Sequence, residues 1–263
     1  MCAQFILKTR ANQLALQLGM KISELAEDLT WNLRVAGYMK IEQTPIILFE
    51  DGQARIQEAC FSLCPTWSKT FPSPWSTYNA RMERPKLKKN AKNTMKQQID
   101  PFTDELEYIY QVPTWRESFT EGWTCLVPLT AAVESSYFGS HAGNVVRFST
   151  KNEQIFFCTG LWSPWVDKAT GELRYTFALI TDDPYPYFYQ CGHDRSVIVL
   201  DPKQYETWLS ADMTPKQRFN FLRNHRIDQD WSVTIDRPMK KGWEKRSPNI
   251  DEIQAIKVWG GSV

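Results

Sequence analysis

The sequence predicts an α+β fold: one domain with a largely antiparallel β-sheet, curled toward a barrel, and a few peripheral helices. Short apolar runs rich in β-branched and aromatic residues recur along the 263 residues, bounded by Gly, Asn, Asp or Pro. Helix signals are few and separated. No internal repeat or low-complexity linker divides the chain, so a single domain spanning 1–263 is expected.

Leu14, Leu18, Ile22, Leu25 and Leu29 fall at i, i+4, i+8, i+11 and i+15, which predicts one helix face. Strands are predicted at 46–49, 145–148, 155–158, 177–180 and 197–200. Asp201-Pro202 reads as the N-cap and first residue of a helix that turns Tyr205, Trp208 and Leu209 inward. Thr214-Pro215 repeats the signal ahead of Phe219 and Leu222.

Composition narrows the function. Hydrophobic residues at 42% and charged residues at 23% exclude a wholly disordered chain. A net charge of +1 gives no global basic signature, so any polyanion site must be a local patch. No apolar run approaches the roughly 18 residues of a membrane span, and that of the N-terminus is short for a secretory leader. A cytoplasmic protein with reduced cysteines is expected. Among the six cysteines, Cys60 and Cys64 are the one close pair, and the histidines lie far apart at 141, 193 and 225. That spacing supports no metal site, and no cofactor is expected. Two segments are locally basic. One is 84–98, within a stretch 84–108 that reads as an insertion; it is either a solvated loop or an arm for phosphates. The other is 237–246, which opens a C-terminal extension (237–263) and contains Trp243.

Cys2 follows the initiator methionine. Removal of Met1 would leave a 1,2-aminothiol, with an amine of reference pKa about 8 beside a thiol of about 8.5. Such a group attacks an aldehyde with its amine and closes the imine with its own sulfur, giving a thiazolidine. Position alone leaves an accidental cysteine as the simpler reading.

Four further segments bear on that choice. Phe61-Ser62-Leu63-Cys64-Pro65-Thr66-Trp67 is similar to a Trp-Gly-Leu-x-Pro-Ser-Trp motif. Asn79-Ala80-Arg81-Met82-Glu83 is similar to Asn-Ala-Arg-x-Glu. Cys125-Leu126-Val127-Pro128, followed by Glu134, is similar to a Cys-Leu-Val-Pro run with its glutamate. Thr159-Gly160-Leu161-Trp162, Thr176 to Thr181 and His193-Asp194-Arg195 form the last series. In this order, with Cys2, they resemble the SOS response-associated peptidase (SRAP) family over residues 2 to about 209.

The resemblance implies a monomeric DNA-damage protein that couples its N-terminal cysteine to abasic sites in single-stranded DNA. It implies Cys2 as nucleophile and Asn79 as a hydrogen-bonding group for the new ring or terminal amine. Arg81 would contact phosphate, Glu134 would act as general acid or base, and His193 would relay protons. Trp67 and Trp75, flanking the Asn79 segment, are the candidates for base stacking. Gln4 and Arg195 complete the expected DNA-contacting set. Each residue also has a plainer reading: a turn network at 193–195, a surface acid at Glu134, a loop brace at Asn79 and Arg81.

The chain departs from the family at several points. The family opens Cys-Gly-Arg-Phe; here it is Cys2-Ala3-Gln4-Phe5, which removes one cation. Met39-Lys40-Ile41-Glu42 stands where the family has Asn-x-x-Pro. Leu129 to Ser135 lacks the aromatic residues usual around the glutamate. These losses keep two alternatives open: a non-catalytic binder of single strands, and a cysteine peptidase acting on its own N-terminus.

Overall fold

The computed structural model describes residues 4–18, 29–39, 41–85, 106–152, 154–210 and 212–260. The first half contains β1 (Gln4–Arg10), α1 (Ala11–Leu18), β2 (Thr30–Ala36), β3 (Gln43–Glu50), β4 (Gln53–Phe61), β5 (Asn79–Arg81), β6 (Glu83–Pro85), β7 (Leu106–Tyr108) and α2 (Pro113–Glu121). The second half contains β8 (Thr124–Leu129), β9 (Ala131–Ser135), β10 (Asn144–Thr150), β11 (Phe156–Val166), β12 (Leu173–Asp182), α3 (Pro186–Gln190) and β13 (Ser196–Val197). It ends with α4 (Tyr205–Ser210), α5 (Pro215–His225), β14 (Trp231–Pro238) and α6 (Ile250–Gln254).

Two sheets organise the molecule. The first is antiparallel, in the order β14-β10-β9-β1-β2. The second has seven strands and is mostly antiparallel; β4 and β5 pair with β12 in parallel. The strands of the second sheet bury both faces, and their period-2 alternation sends side chains to two different cores. Ile46 and Leu48 of β3 point to one core and Ile47 to the other. Phe177 and Leu179 of β12 separate from Ala178 and Ile180 in the same way. One core is completed by Phe119, Trp208, Phe219 and Leu222 from α2, α4 and α5. The other is completed by Phe5, Val35, Ala132, Val146 and Phe148 from the first sheet. Helices therefore cover one face of the seven-stranded sheet, and the first sheet covers the other.

The first sheet is strongly curled. Its terminal strands β2 and β14 would lie roughly 19 Å apart if it were flat. Instead the Arg34 Nη2 of β2 donates to the Asp236 Oδ2 of β14 at 2.7 Å. The α+β class and the curled, largely antiparallel sheet thus follow the sequence expectation.

The five predicted strands lie within or overlap β3, β10, β11, β12 and β13, with two differences. Ile155 precedes the first residue of β11, and β13 ends at Val197. Val199 and Leu200 continue as single bridges to Cys158 and Arg226. Asp201 accepts from the Lys203 amide at 3.0 Å, opening a short 3-10 turn ahead of α4. Thr214 and Gln217 cap α5 reciprocally. The predicted helix from Leu14 to Leu29 is corrected at its end. Leu18 closes α1, residues 19–28 lie outside the described residues, and Leu29 leads directly into β2. Its carbonyl accepts from the Ala11 amide at 2.9 Å, a contact that a continuous helix excludes.

Most of the basic stretch 84–108 lies outside the described residues. Its flanks pair as β6 and β7, where Arg84 is bound to Glu107 at 2.8 Å. The stretch after β14 folds back over the β9 and α3 end. Ser247 Oγ donates to the Tyr137 carbonyl at 2.8 Å, and the Trp259 amide donates to that of Pro184 at 2.9 Å. Among the described residues no helix is long and apolar enough to cross a membrane. The five described cysteines are buried and form no disulfide.

Candidate active site

Two loops meet at one end of the first sheet. The loop after β9 and the loop after α3 are joined by the Tyr137 amide, which donates to the Gly192 carbonyl at 2.9 Å. Ser136 Oγ donates to the Cys191 carbonyl. Gly192 has φ of +95°, and a Cβ there would meet the Phe138 carbonyl oxygen at 1.6 Å. Only glycine fits this approach. The turn delivers His193 against the last residues of β9.

His193 Nε2 lies 3.2 Å from Glu134 Oε2, and both side chains are 1% exposed. His193 Nδ1 lies 3.0 Å from the Ser135 carbonyl, which only accepts. Nδ1 therefore carries a proton. The Nε2–Oε2 contact then requires a second proton, held on either side, so the two residues share it. Burial lowers the His193 pKa, while the Glu134 charge raises it. A histidine and a carboxylate in contact are a pair of the kind used for general acid–base chemistry.

Around this dyad the structure arranges charge. β5 lies along β12, with Asn79 opposite Leu179 and Arg81 opposite Thr181. Both side-chain amide atoms of Asn79 are buried without a hydrogen-bond partner among the described residues. Such atoms are costly unless a ligand completes them. Burial lowers the Arg81 pKa, and Arg195 adds to this, while Asp194, Asp183 and Asp182 oppose it. Burial would raise the Asp194 pKa, but Arg195, His193 and Arg81 hold its carboxyl well below the usual carboxylate range. Asp194 and Arg195 approach to 3.4 Å. A cleft of about 840 Å³ opens beside Ser135, Asp194 and Arg195, walled by Tyr78, Tyr137 and Arg246 among others.

The predicted site residues are thus distributed unevenly. Glu134 and His193 touch. Arg81, Asp194 and Arg195 share one electrostatic cluster with His193. Gln4 opens β1 opposite Val133, one residue from Glu134. Cys2 lies outside the described residues. Trp67 and Trp75 are exposed and pack on one another, with ring centroids 5.7 Å apart. They do not line the cleft. Their segment is pinned elsewhere on the β11–β12 pair, through the Cys64 amide to Thr176 and the Trp165 ring to Ser68. Tyr78, Ser135 and Tyr137 carry no sequence motif that marks them as cleft residues.

These features define an α+β protein with a buried histidine–carboxylate proton dyad beside its N-terminal strand. The chain belongs to the SOS response associated peptidase (SRAP) family, whose model matches residues 87–235. It is thereby associated with the SOS response to DNA damage. No curated protein matches the sequence. Several crystal structures share the fold, among them the following three. A Bacteroides thetaiotaomicron protein has a TM-score of 0.65 at 22% identity, over 96% of this chain and 98% of that one. A Bordetella bronchiseptica protein scores 0.60 at 16% identity, over 89% and 99%. A phage-related protein of the same organism scores 0.57 at 15% identity, over 94% and 99%.

Two variants probe the site's construction. Gly192→Ala is expected to displace the 191–193 turn and separate His193 from Glu134, destabilising the protein by about 2–4 kcal/mol. Chemical denaturation measures the loss, and unchanged stability would contradict the close approach. Asp183 has its pKa pushed up to about 6, by burial first and then by Asp182 and Glu83. Between pH 4 and 6 the folded state therefore binds more protons at this residue than the unfolded state. Stability contributed there falls as pH rises. Asp183→Asn is expected to gain stability relative to the wild type between pH 4 and 7. Paired melting curves at both pH values test this, and an unchanged difference would refute it.

Proposed function

We propose that the protein forms a covalent crosslink between Cys2 and abasic sites in single-stranded DNA, shielding the lesion. The reading rests above all on the buried dyad of His193 and Glu134 at the end of the sheet where β1 begins. Cys2 stands two residues before that strand.

In this reading the dyad moves the proton that opens the cyclic hemiacetal of the abasic sugar to its aldehyde. The Cys2 amine adds to the aldehyde carbon. The carbinolamine loses its hydroxyl as water once protonated, leaving an imine. Cys2 Sγ then adds to the imine carbon, and the thiol proton ends on nitrogen, closing a thiazolidine. One water leaves overall. Asn79, with its unpartnered amide atoms, holds the ring or the amine. Arg81 and Arg195 neutralise the adjacent phosphate. Trp67 and Trp75 supply stacking surface for a strand that extends beyond the cleft.

The test is incubation of the protein with a single-stranded oligonucleotide holding one abasic site, followed by a denaturing gel. A retarded band is expected; its absence from protein with a confirmed Cys2 N-terminus would favour the non-catalytic binder. Intact mass decides the self-processing reading. If Met1 persists only in cells that lack methionine aminopeptidase, the protein does not process itself.

A further inference from the structure

The first sheet carries a second cluster at the same end as the dyad. Gln4, Ser135, Asn144, Ala36 and Pro238 mark that end of its five strands. Across it, Gln4 pairs with Val133 and Val133 with Arg147. Asp236, with its side chain 3% exposed, sits among three arginines. Arg34 donates to both its oxygens, at 3.0 and 2.7 Å. Arg147 Nε donates to Oδ1 at 2.6 Å, and Arg237 Nη1 donates to Oδ2. Among the described residues these arginines have no other carboxylate partner, so the cluster keeps a net charge of about +2.

The three guanidiniums are not equivalent. Arg34 also donates from Nε and Nη2 to Gln4 Oε1, so most of its N–H groups are committed. Arg147 and Arg237 give part of theirs to Asp236 and leave the rest outward, with side chains 42% and 46% exposed. The buried carboxylate therefore acts as a pivot that holds two cationic edges toward solvent. Lys240 and Lys241 follow on the same chain and are exposed. Arg147 pairs with Val133, so it lies at the same end of the sheet as Glu134 but on the opposite face. Its outward guanidinium edge, with that of Arg237, fits a run of phosphodiesters passing around that end.

We propose that Arg147 and Arg237, aligned by Asp236 and Arg34, bind backbone phosphates of the DNA strand flanking the lesion. This rests on the crosslinking reading for its ligand but not for its measurement. Binding is followed with a single-stranded oligonucleotide carrying an abasic analogue without the aldehyde, which cannot crosslink. Each single-strand phosphate contact contributes about 0.7 to the slope of log K against log salt. Arg147→Gln/Arg237→Gln is therefore expected to flatten the slope by about 1.4 and weaken binding roughly tenfold at low salt. Neutral methylphosphonates at the flanking positions should remove the difference between variant and wild type. Arg237→Gln alone, which leaves Asp236 paired to Arg34 and Arg147, should flatten the slope by about 0.7 and so separates binding from any loss of folding. Unchanged slopes in both variants would overturn the proposal. A normal slope change in protein that never crosslinks an authentic abasic site would leave the patch standing and the crosslinking reading refuted.

Discussion

Cys2→Ala protein is expected to form no denaturation-resistant adduct with abasic single-stranded DNA. Its non-covalent binding should survive. A 1,2-aminothiol requires a cysteine at a free N-terminus; an internal cysteine has a thiol without a free α-amine, and a lysine has an amine without a thiol. The five described cysteines are buried, and burial raises the Cys125 and Cys158 thiols well above their ordinary pKa. A buried protonated thiol is a poor nucleophile. Cys2→Ser separates the two steps: its amine can form the imine, but its hydroxyl closes a ring far less readily. That variant should give an adduct that borohydride traps and that dissociates without it. An adduct of undiminished yield in Cys2→Ala would refute the assignment and direct attention to a lysine.

Glu134→Gln should be the second largest loss. The amide keeps the volume and a hydrogen bond to His193 but cannot pass a proton. The rate of adduct formation is expected to fall by about 10²- to 10⁴-fold. The variant also carries a pH signature that a merely structural role would not produce. Burial lowers the His193 pKa and the Glu134 carboxylate is the main influence raising it. Removing that charge lets desolvation act with less opposition, so His193 in Glu134→Gln should titrate at lower pH than in the wild type. Imidazole resonances followed by NMR measure the shift, and melting curves verify that the fold is intact. A wild-type rate in this variant would remove Glu134 from the chemistry.

Much of the local architecture is legible along the chain. Thr214-Pro215 and Asp201-Pro202 announce helix starts because capping is settled within a few residues. The runs at 46–49 and 177–180 read as strands because both faces of the seven-stranded sheet are buried. The periodicity from Leu14 to Leu29 misleads for the same local reason. Leucine spacing continues, but Trp31 and Val35 find their places on β2 beside β1, and that pairing sets where the strand begins. Leu29 is left 41% exposed at the boundary.

By itself the sequence determined the fold class, the start of α5, the cap of the turn ahead of α4, and the family, and it named candidate chemical groups. It named Glu134 and His193 without bringing them together, and it set Trp67 and Trp75 beside Asn79 only in order along the chain. The tertiary structure decided the rest. Glu134 and His193, 59 positions apart, meet because a left-handed glycine turn docks on the end of β9. Arg34 and Asp236, 202 positions apart, meet because the first sheet curls until its outer strands approach. Hydrophobic period reports which face of a strand is buried. It carries no information about how far a sheet coils or which distant loops its end will receive, and those two quantities set the site.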